Sequence, residues 1–219
     1  PFTPTTLGTI AGPHFGKHYH PTRRSAMHGW HETHGASFVN AGPWLRPEAY
    51  LRPGENLIRA LRREARHVRQ HVGIADVSTL GKIDLRGPDA VEFLNRVYIN
   101  TFTKLAVGKC RYGLMLREDG FLYDDGTVTR IADDRLMVTT TTVHAGSVMR
   151  HLEYYHQVVW PELDIHMVSV TEEWAAIAIA GPDSRRVLEK VTDDIDVSNE
   201  ALEFMRFRQG TICGAPARL

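Results

Sequence analysis

The sequence predicts an α+β fold with antiparallel sheet, built from two related half-domains. Three patterns predict it: an Asp-Gly hairpin inside a run of alternating strands, an amphipathic helix ahead of it, and a strand–Gly-Pro-Asp–helix unit that occurs twice. Strands gathered into a meander, rather than alternating strictly with helices, argue against a doubly wound nucleotide-binding sheet. No GxGxxG run follows a strand either.

Taken in order, residues 1–24 show no apolar period and read as a linker or surface-wrapping arm. Ser25 is placed to cap a short helix over Met27 to His34. A turn-rich stretch follows, with Gly42-Pro43-Trp44, Pro47 and Pro53. Leu57, Leu61, Ala65, Val68 and Val72 then recur at helical spacing and give one apolar stripe. The other face carries Arg59, Arg62, Arg63, Arg66 and Arg69, expected to be solvated, with docking to an acidic partner surface as the alternative.

The first unit is a strand over Lys82 to Arg86, the turn Gly87-Pro88-Asp89, and a helix bearing Val91, Leu94 and Val97. The second is a buried strand over Trp174 to Ala180, then Gly181-Pro182-Asp183 and a helix bearing Val187, Leu188 and Val191. Proline suits a first helical turn, where its missing N–H would be unpaired, and a carboxylate there faces the positive end of the helix dipole. Between the units, strands Tyr112 to Arg117 and Phe121 to Ile131 flank Glu118-Asp119-Gly120. The chain turns again at Asp133-Asp134 into Arg135 to Thr141, and a helix runs from Ala145 to Tyr155.

Composition limits the function. Lys plus Arg equals Asp plus Glu at 26 each, so no global field draws the chain to nucleic acid or to a membrane. Two cysteines without a CxxC pair imply a reducing, cytoplasmic setting, and no apolar run is long enough to span a bilayer. Cys110 is expected to be a small buried residue rather than a nucleophile. His14, His18, His20, His28, His31 and His34 lack cysteine or acidic ligands at zinc spacing, so structural roles and no metal are expected. Both ends read as boundaries of a piece of a longer protein.

Asp124-Asp125 stands inside a strand pattern, where Asp is depleted. Successive strand residues face opposite ways, so one carboxylate at most points into a given cavity. Two readings stay open on spacing alone: both carboxylates in water at a bulge or strand end, or one of them acting on a nitrogen nucleophile in a pocket.

An ordered set of segments resembles the glycine-cleavage T-protein (aminomethyltransferase) family over roughly residues 25–195. Val72 to Gly81 (VGIADVSTLG) is similar to the family's VGMFDVSHMG-type segment, and Gly87-Pro88-Asp89-Ala90 and Ala180-Gly181-Pro182 to its two GP turns. Gly108-Lys109 with Tyr112, and Met115-Leu116 through Asp119-Gly120 to Asp124-Asp125, resemble its folate hairpin. Trp30 to Ala36 parallels its first helix. Cys110 to Gly120, with Gly126-Thr127 after the acidic pair, is most similar to the folate domain of the alpha subunits of heterotetrameric sarcosine oxidases. Pro1-Phe2-Thr3-Pro4 resembles the connection after the dinucleotide-binding region of those subunits.

This resemblance implies a T-protein-like folate-binding fold, incomplete at the C-terminus: an arm over 1–24, a first subdomain over 25–163 and the start of a second over 164–219. It implies tetrahydrofolate as the ligand, with flavin and NAD held elsewhere in the whole enzyme. It implies a catalytic Asp125, with Tyr112, Leu80, Met115 and Thr141 lining the folate site. Partners would be the other oxidase subunits, the flavin-bearing one above all, and the isolated piece would be inactive. Thr129 departs from a family aromatic, Thr139 to Thr142 replace a family Asn, and the pterin-binding Glu falls beyond Leu219.

Overall fold

The computed structural model describes residues 4–6, 8–9 and 22–219. Its centre is a five-stranded antiparallel sheet in the order β6-β7-β8-β5-β9. The strands are β5 (Gly81–Arg86), β6 (Cys110–Leu116), β7 (Leu122–Ala132), β8 (Arg135–Thr140) and β9 (His166–Ser169). The Asp119-Gly120 turn joins β6 to β7 as expected, with Gly120 at φ 83°, a conformation glycine adopts without strain.

Pairing register sorts the side chains onto two faces. Ile83 opposes Val138, Leu85 opposes Leu136, and Val128 opposes Val138. These residues face α3 (Ala90–Val97) and α4 (Ala145–Tyr154), which supply Phe93, Leu94, Val148 and Leu152 to one core. Phe93, Leu94, Leu85 and Met115 are fully buried there. The opposite face carries Tyr112, Asp125, Thr127 and Thr139, and it is only partly covered.

Ahead of this sheet, α1 (His28–Thr33) leads into a hairpin of β2 (Ala36–Ala41) and β3 (Trp44–Tyr50), with β1 (Arg23–Arg24) beside β3. This hairpin occupies the stretch expected to be turn-rich. Gly42-Pro43 makes its turn, and Pro47 sits beside the register shift at Ser37/Phe38, beyond the two residues that β1 pairs. Both prolines therefore avoid a ladder position that needs their N–H. Ser25 does not cap α1 with its side chain; its hydroxyl is taken by Asp76. Helix α2 (Leu57–Gln70) forms as expected, capped by the Asn56 side chain.

The two Gly-Pro-Asp turns are structural equivalents. Gly87 (φ 133°) packs so closely that a Cβ would lie 2.2 Å from the Asp164 carbonyl oxygen. At Gly181 (φ 116°) a Cβ would lie 2.3 Å from that of His71. The carboxylates act differently from the simple dipole reading: Asp89 accepts from the Asp164 N–H, while Asp183 accepts from Arg186. The second strand is shorter than expected. Among the described residues β10 (Ile177–Ala180) pairs only with β4 (Gly73–Asp76) and is largely exposed, so it is not the buried strand its apolar composition suggested. Helix α5 (Ser184–Val191) follows, and a hairpin of β11 (Gln209–Ile212) and β12 (Ala215–Arg218) closes the chain.

Candidate functional site

The acidic pair splits across the sheet. Asp124 opposes Met115, and Asp125 opposes Leu114. Asp124 therefore turns into the core face beside the fully buried Met115, while Asp125 turns to the open face. Of the two readings left open, the strand interior is where the pair lies, and the two carboxylates have unlike surroundings.

On the open face three predicted residues meet. The Tyr112 hydroxyl donates to Asp125 Oδ2. The Thr141 hydroxyl donates to Asp125 Oδ1 over a long 3.5 Å. Half of the Tyr112 surface stays exposed, leaving a ring free to be covered. Leu80 lies one residue before the Gly81–Thr140 pair, at the same end of the sheet as Thr141. Met115 is not brought to this group; it lies on the far side of the sheet. Gly126 lets β7 approach β8 here, because a Cβ on it would stand 2.0 Å from the Thr139 carbonyl oxygen. Beside it, Thr139 Oγ1 accepts from the Thr127 N–H at 2.8 Å and bonds the Thr127 hydroxyl.

Sequence reasoning missed what stands behind this face. Asp124 is buried and accepts from the Thr141 N–H at 3.2 Å and from His144 Nδ1 at 3.1 Å. Its charge, together with burial as the larger effect, pushes the Tyr98 phenol well above the usual tyrosine range. The available signal was the acidic pair itself: if one carboxylate faces outward, the other must be satisfied inside.

A second polar cluster ties the amino-terminal hairpin to β4. His31 lies 2.9 Å from Asp76 through Nε2 and 2.6 Å from the Tyr50 hydroxyl through Nδ1. Ser25 Oγ donates to Asp76 at 2.6 Å, and the Ser78 N–H donates at 2.9 Å. Burial pushes the Asp76 carboxyl up, but the hydrogen bonds from Ser25, Ser78 and His31 prevail and hold it below the usual carboxylate range. A cleft of about 440 Å³, lined by Trp30, His31, Tyr50, Ile74 and Ile177, opens beside it. The clefts beside this hairpin do not include Asp125.

Among the described residues no cluster of His, Cys, Asp and Glu is arranged to hold a metal, and no helix is long and apolar enough to cross a membrane. His14, His18 and His20 lie outside the described residues. Cys110 is half-buried and Cys213 exposed.

The chain belongs to the GCVT N-terminal domain family, which it matches over residues 27–219. It is 49% identical to the sarcosine oxidase subunit alpha of Rhizobium meliloti (strain 1021) over 214 residues, 97% of this chain and 22% of that subunit. In structure it is similar to glycine cleavage system aminomethyltransferase T from Bartonella henselae: TM-score 0.71 and 27% identity, covering 84% of this chain and 46% of that one. It also shares its fold with a chain of the heterotetrameric sarcosine oxidase from Corynebacterium sp. U-96: TM-score 0.51 and 14% identity, covering 73% and 78%. The chain thus spans about a fifth of the oxidase subunit and about half of the aminomethyltransferase.

Proposed function

We propose that this chain is the tetrahydrofolate-binding module of a sarcosine oxidase, accepting the one-carbon unit of oxidised sarcosine to give 5,10-methylenetetrahydrofolate and glycine. The observation that carries the reading is the Tyr112–Asp125–Thr141 group on an open sheet face, in a chain of this family. The residues suit the ligand. A reduced pterin offers N–H donors and a flat face; the site offers a carboxylate acceptor beside a half-exposed aromatic ring.

Tetrahydrofolate, when bound, supplies the nucleophilic nitrogens that capture the carbon. Tyr112 holds Asp125 Oδ2, so the carboxylate keeps one orientation. Oδ1, touched among the described residues only by the long Thr141 contact, is the oxygen free to accept an N–H. Asp125 then orients the reacting amine and receives its proton as the new C–N bond forms, a role worth roughly 100- to 10,000-fold for a well-placed group. In this reading a flavin on another subunit performs the oxidation, NAD is held elsewhere, and the isolated chain is inactive. Replacing Asp125 by Asn in the intact protein tests the assignment: folate binding and methylenetetrahydrofolate formation should both fall, and unchanged values would end it.

One observation favours a second role alongside the first. Arg59, Arg62, Arg66 and Arg69 lie in a row on α2, exposed, and none has an acidic partner among the described residues. Such a row suits docking against an acidic subunit surface. Saturable folate binding that depends on Asp125 separates a ligand site from a pure scaffold.

A further inference from the structure

We propose that Asp124 and His144 form a positioning pair for the folate site, holding the corner after β8 so that Thr141 and Asp125 face the ligand together. The proposal rests on the reading of Asp125 as the folate carboxylate. It concerns residues on the other side of the sheet from that carboxylate.

The corner has no regular ladder to hold it. β8 ends at Thr140, and Thr142 to His144 make one 3₁₀ turn before α4. The backbone closes the start of that turn with a bond from the His144 N–H to the Thr141 carbonyl at 3.0 Å. The Thr141 N–H points back into the sheet, and its acceptor is Asp124 Oδ2. Asp124 Oδ1 is held in turn by His144 Nδ1. The two oxygens thus bridge Thr141, which precedes the turn, and His144, its last residue. The Thr141 hydroxyl remains free to reach the other way, to Asp125.

Two neighbours extend the device. Thr79 Oγ1 lies 3.1 Å from Thr142 Oγ1, both buried, which ties the segment bearing Leu80 to the same corner. Gly42, in the turn of the amino-terminal hairpin, packs against Val143, where a Cβ would come within 3.2 Å of its Cα. Movement of the corner would therefore displace Thr141 and the Leu80 segment together.

The pair is costly unless it is satisfied. The Asp124 side chain is 3% exposed, so a carboxylate deprived of His144 would keep one N–H donor in a dry setting. It would recover partners by drawing in water or by turning, and either changes the corner. His144 is itself half-exposed, so its ring is not needed to fill the core. Its use lies in the Nδ1 donor. Asparagine places a donor at the same δ position, which makes His144→Asn the conservative replacement and His144→Ala the disruptive one.

The test uses the full-length subunit in its assembled oxidase, with 5-formyltetrahydrofolate as the calorimetric probe. Hydrogen exchange of the peptide spanning 139–146 is followed separately without ligand. His144→Ala should weaken binding by about ten- to a hundredfold, the range for losing a hydrogen bond to a charged group, and should speed exchange of that peptide. His144→Asn should restore both. Asp125→Asn should weaken binding while leaving the peptide's exchange slow. If His144→Ala binds as the wild type while Asp125→Asn is weakened, the positioning pair is refuted and the folate site stands. If Asp125→Asn also binds as the wild type, the folate reading has failed first. Should His144→Ala not assemble, the decision passes to His144→Asn: an assembled variant with weakened binding overturns the role of the δ donor.

Discussion

Gly126→Ala perturbs the site without touching a polar group. In the structure a Cβ at this position would lie 2.0 Å from the Thr139 carbonyl oxygen and 2.8 Å from its carbonyl carbon, whereas ordinary van der Waals contact begins near 3.4 Å. Both atoms belong to backbone, so no side chain can swing aside. β7 must move off β8 by about 1 Å or more to make room, and overpacking of this kind costs about 1–3 kcal/mol. The movement falls between Asp125 and Thr141, whose contact is already long at 3.5 Å. A displacement of about 1 Å at a reacting group can cost on the order of a hundredfold in rate. Urea unfolding of the intact protein should show a lower midpoint with an unchanged slope, and methylenetetrahydrofolate formation should fall further than stability alone explains. A variant with wild-type midpoint and wild-type transfer would show that β7 and β8 do not need this close approach, and the packing argument would be wrong.

Four further outcomes are expected. Phe93→Ala empties a fully buried site in the main core and should cost about 3–5 kcal/mol in chemical denaturation. Asp76→Ala removes a side chain that is 1% exposed and frees His31, Ser25 and the Ser78 N–H at once. A loss of about 3–5 kcal/mol should follow, read in the same way. Acid should unfold the protein in a defined window. Burial raises the Asp84 carboxyl, but Arg135 and Arg86 more than offset it, and Asp76 is likewise held low. A depressed folded value means the stabilisation is complete above the ordinary Asp value of about 4 and is lost as pH falls below it. Denaturation midpoints should decline below about pH 4, and Asp84→Asn should flatten that decline.

Much of the fold was legible because period and turn chemistry agreed. The Asp119-Gly120 turn, the alternation through β6, β7 and β8, and the stripe of α2 each pointed to the element that forms. The hairpin of β2 and β3 was hidden by Gly42, Pro43 and Pro47, residues that usually break strands; here they occupy the turn and an irregular register where no N–H is needed. The strand at Ile177–Ala180 was legible as a strand but not in its burial, because an apolar tetrapeptide reads alike at a sheet edge and in a core. Of the candidate site, alternation along β7 gave the opposition of Asp124 and Asp125, and Tyr112 lies diagonally across from Asp125 on the same face. The Met115 register was not read in the same way, although its pairing with Asp124 sends it to the core. His144 lay beyond local reasoning, since its contact with Asp124 crosses 20 residues, the β7–β8 reversal and the corner after β8.

The most direct measurement is a calorimetric titration of the full-length protein with 5-formyltetrahydrofolate, run beside Asp125→Asn. Saturable binding that weakens at least about tenfold in the variant, or about 1.4 kcal/mol, is the expected result. Equal binding by both folded proteins, or none by the wild type, would contradict a folate site built on Asp125.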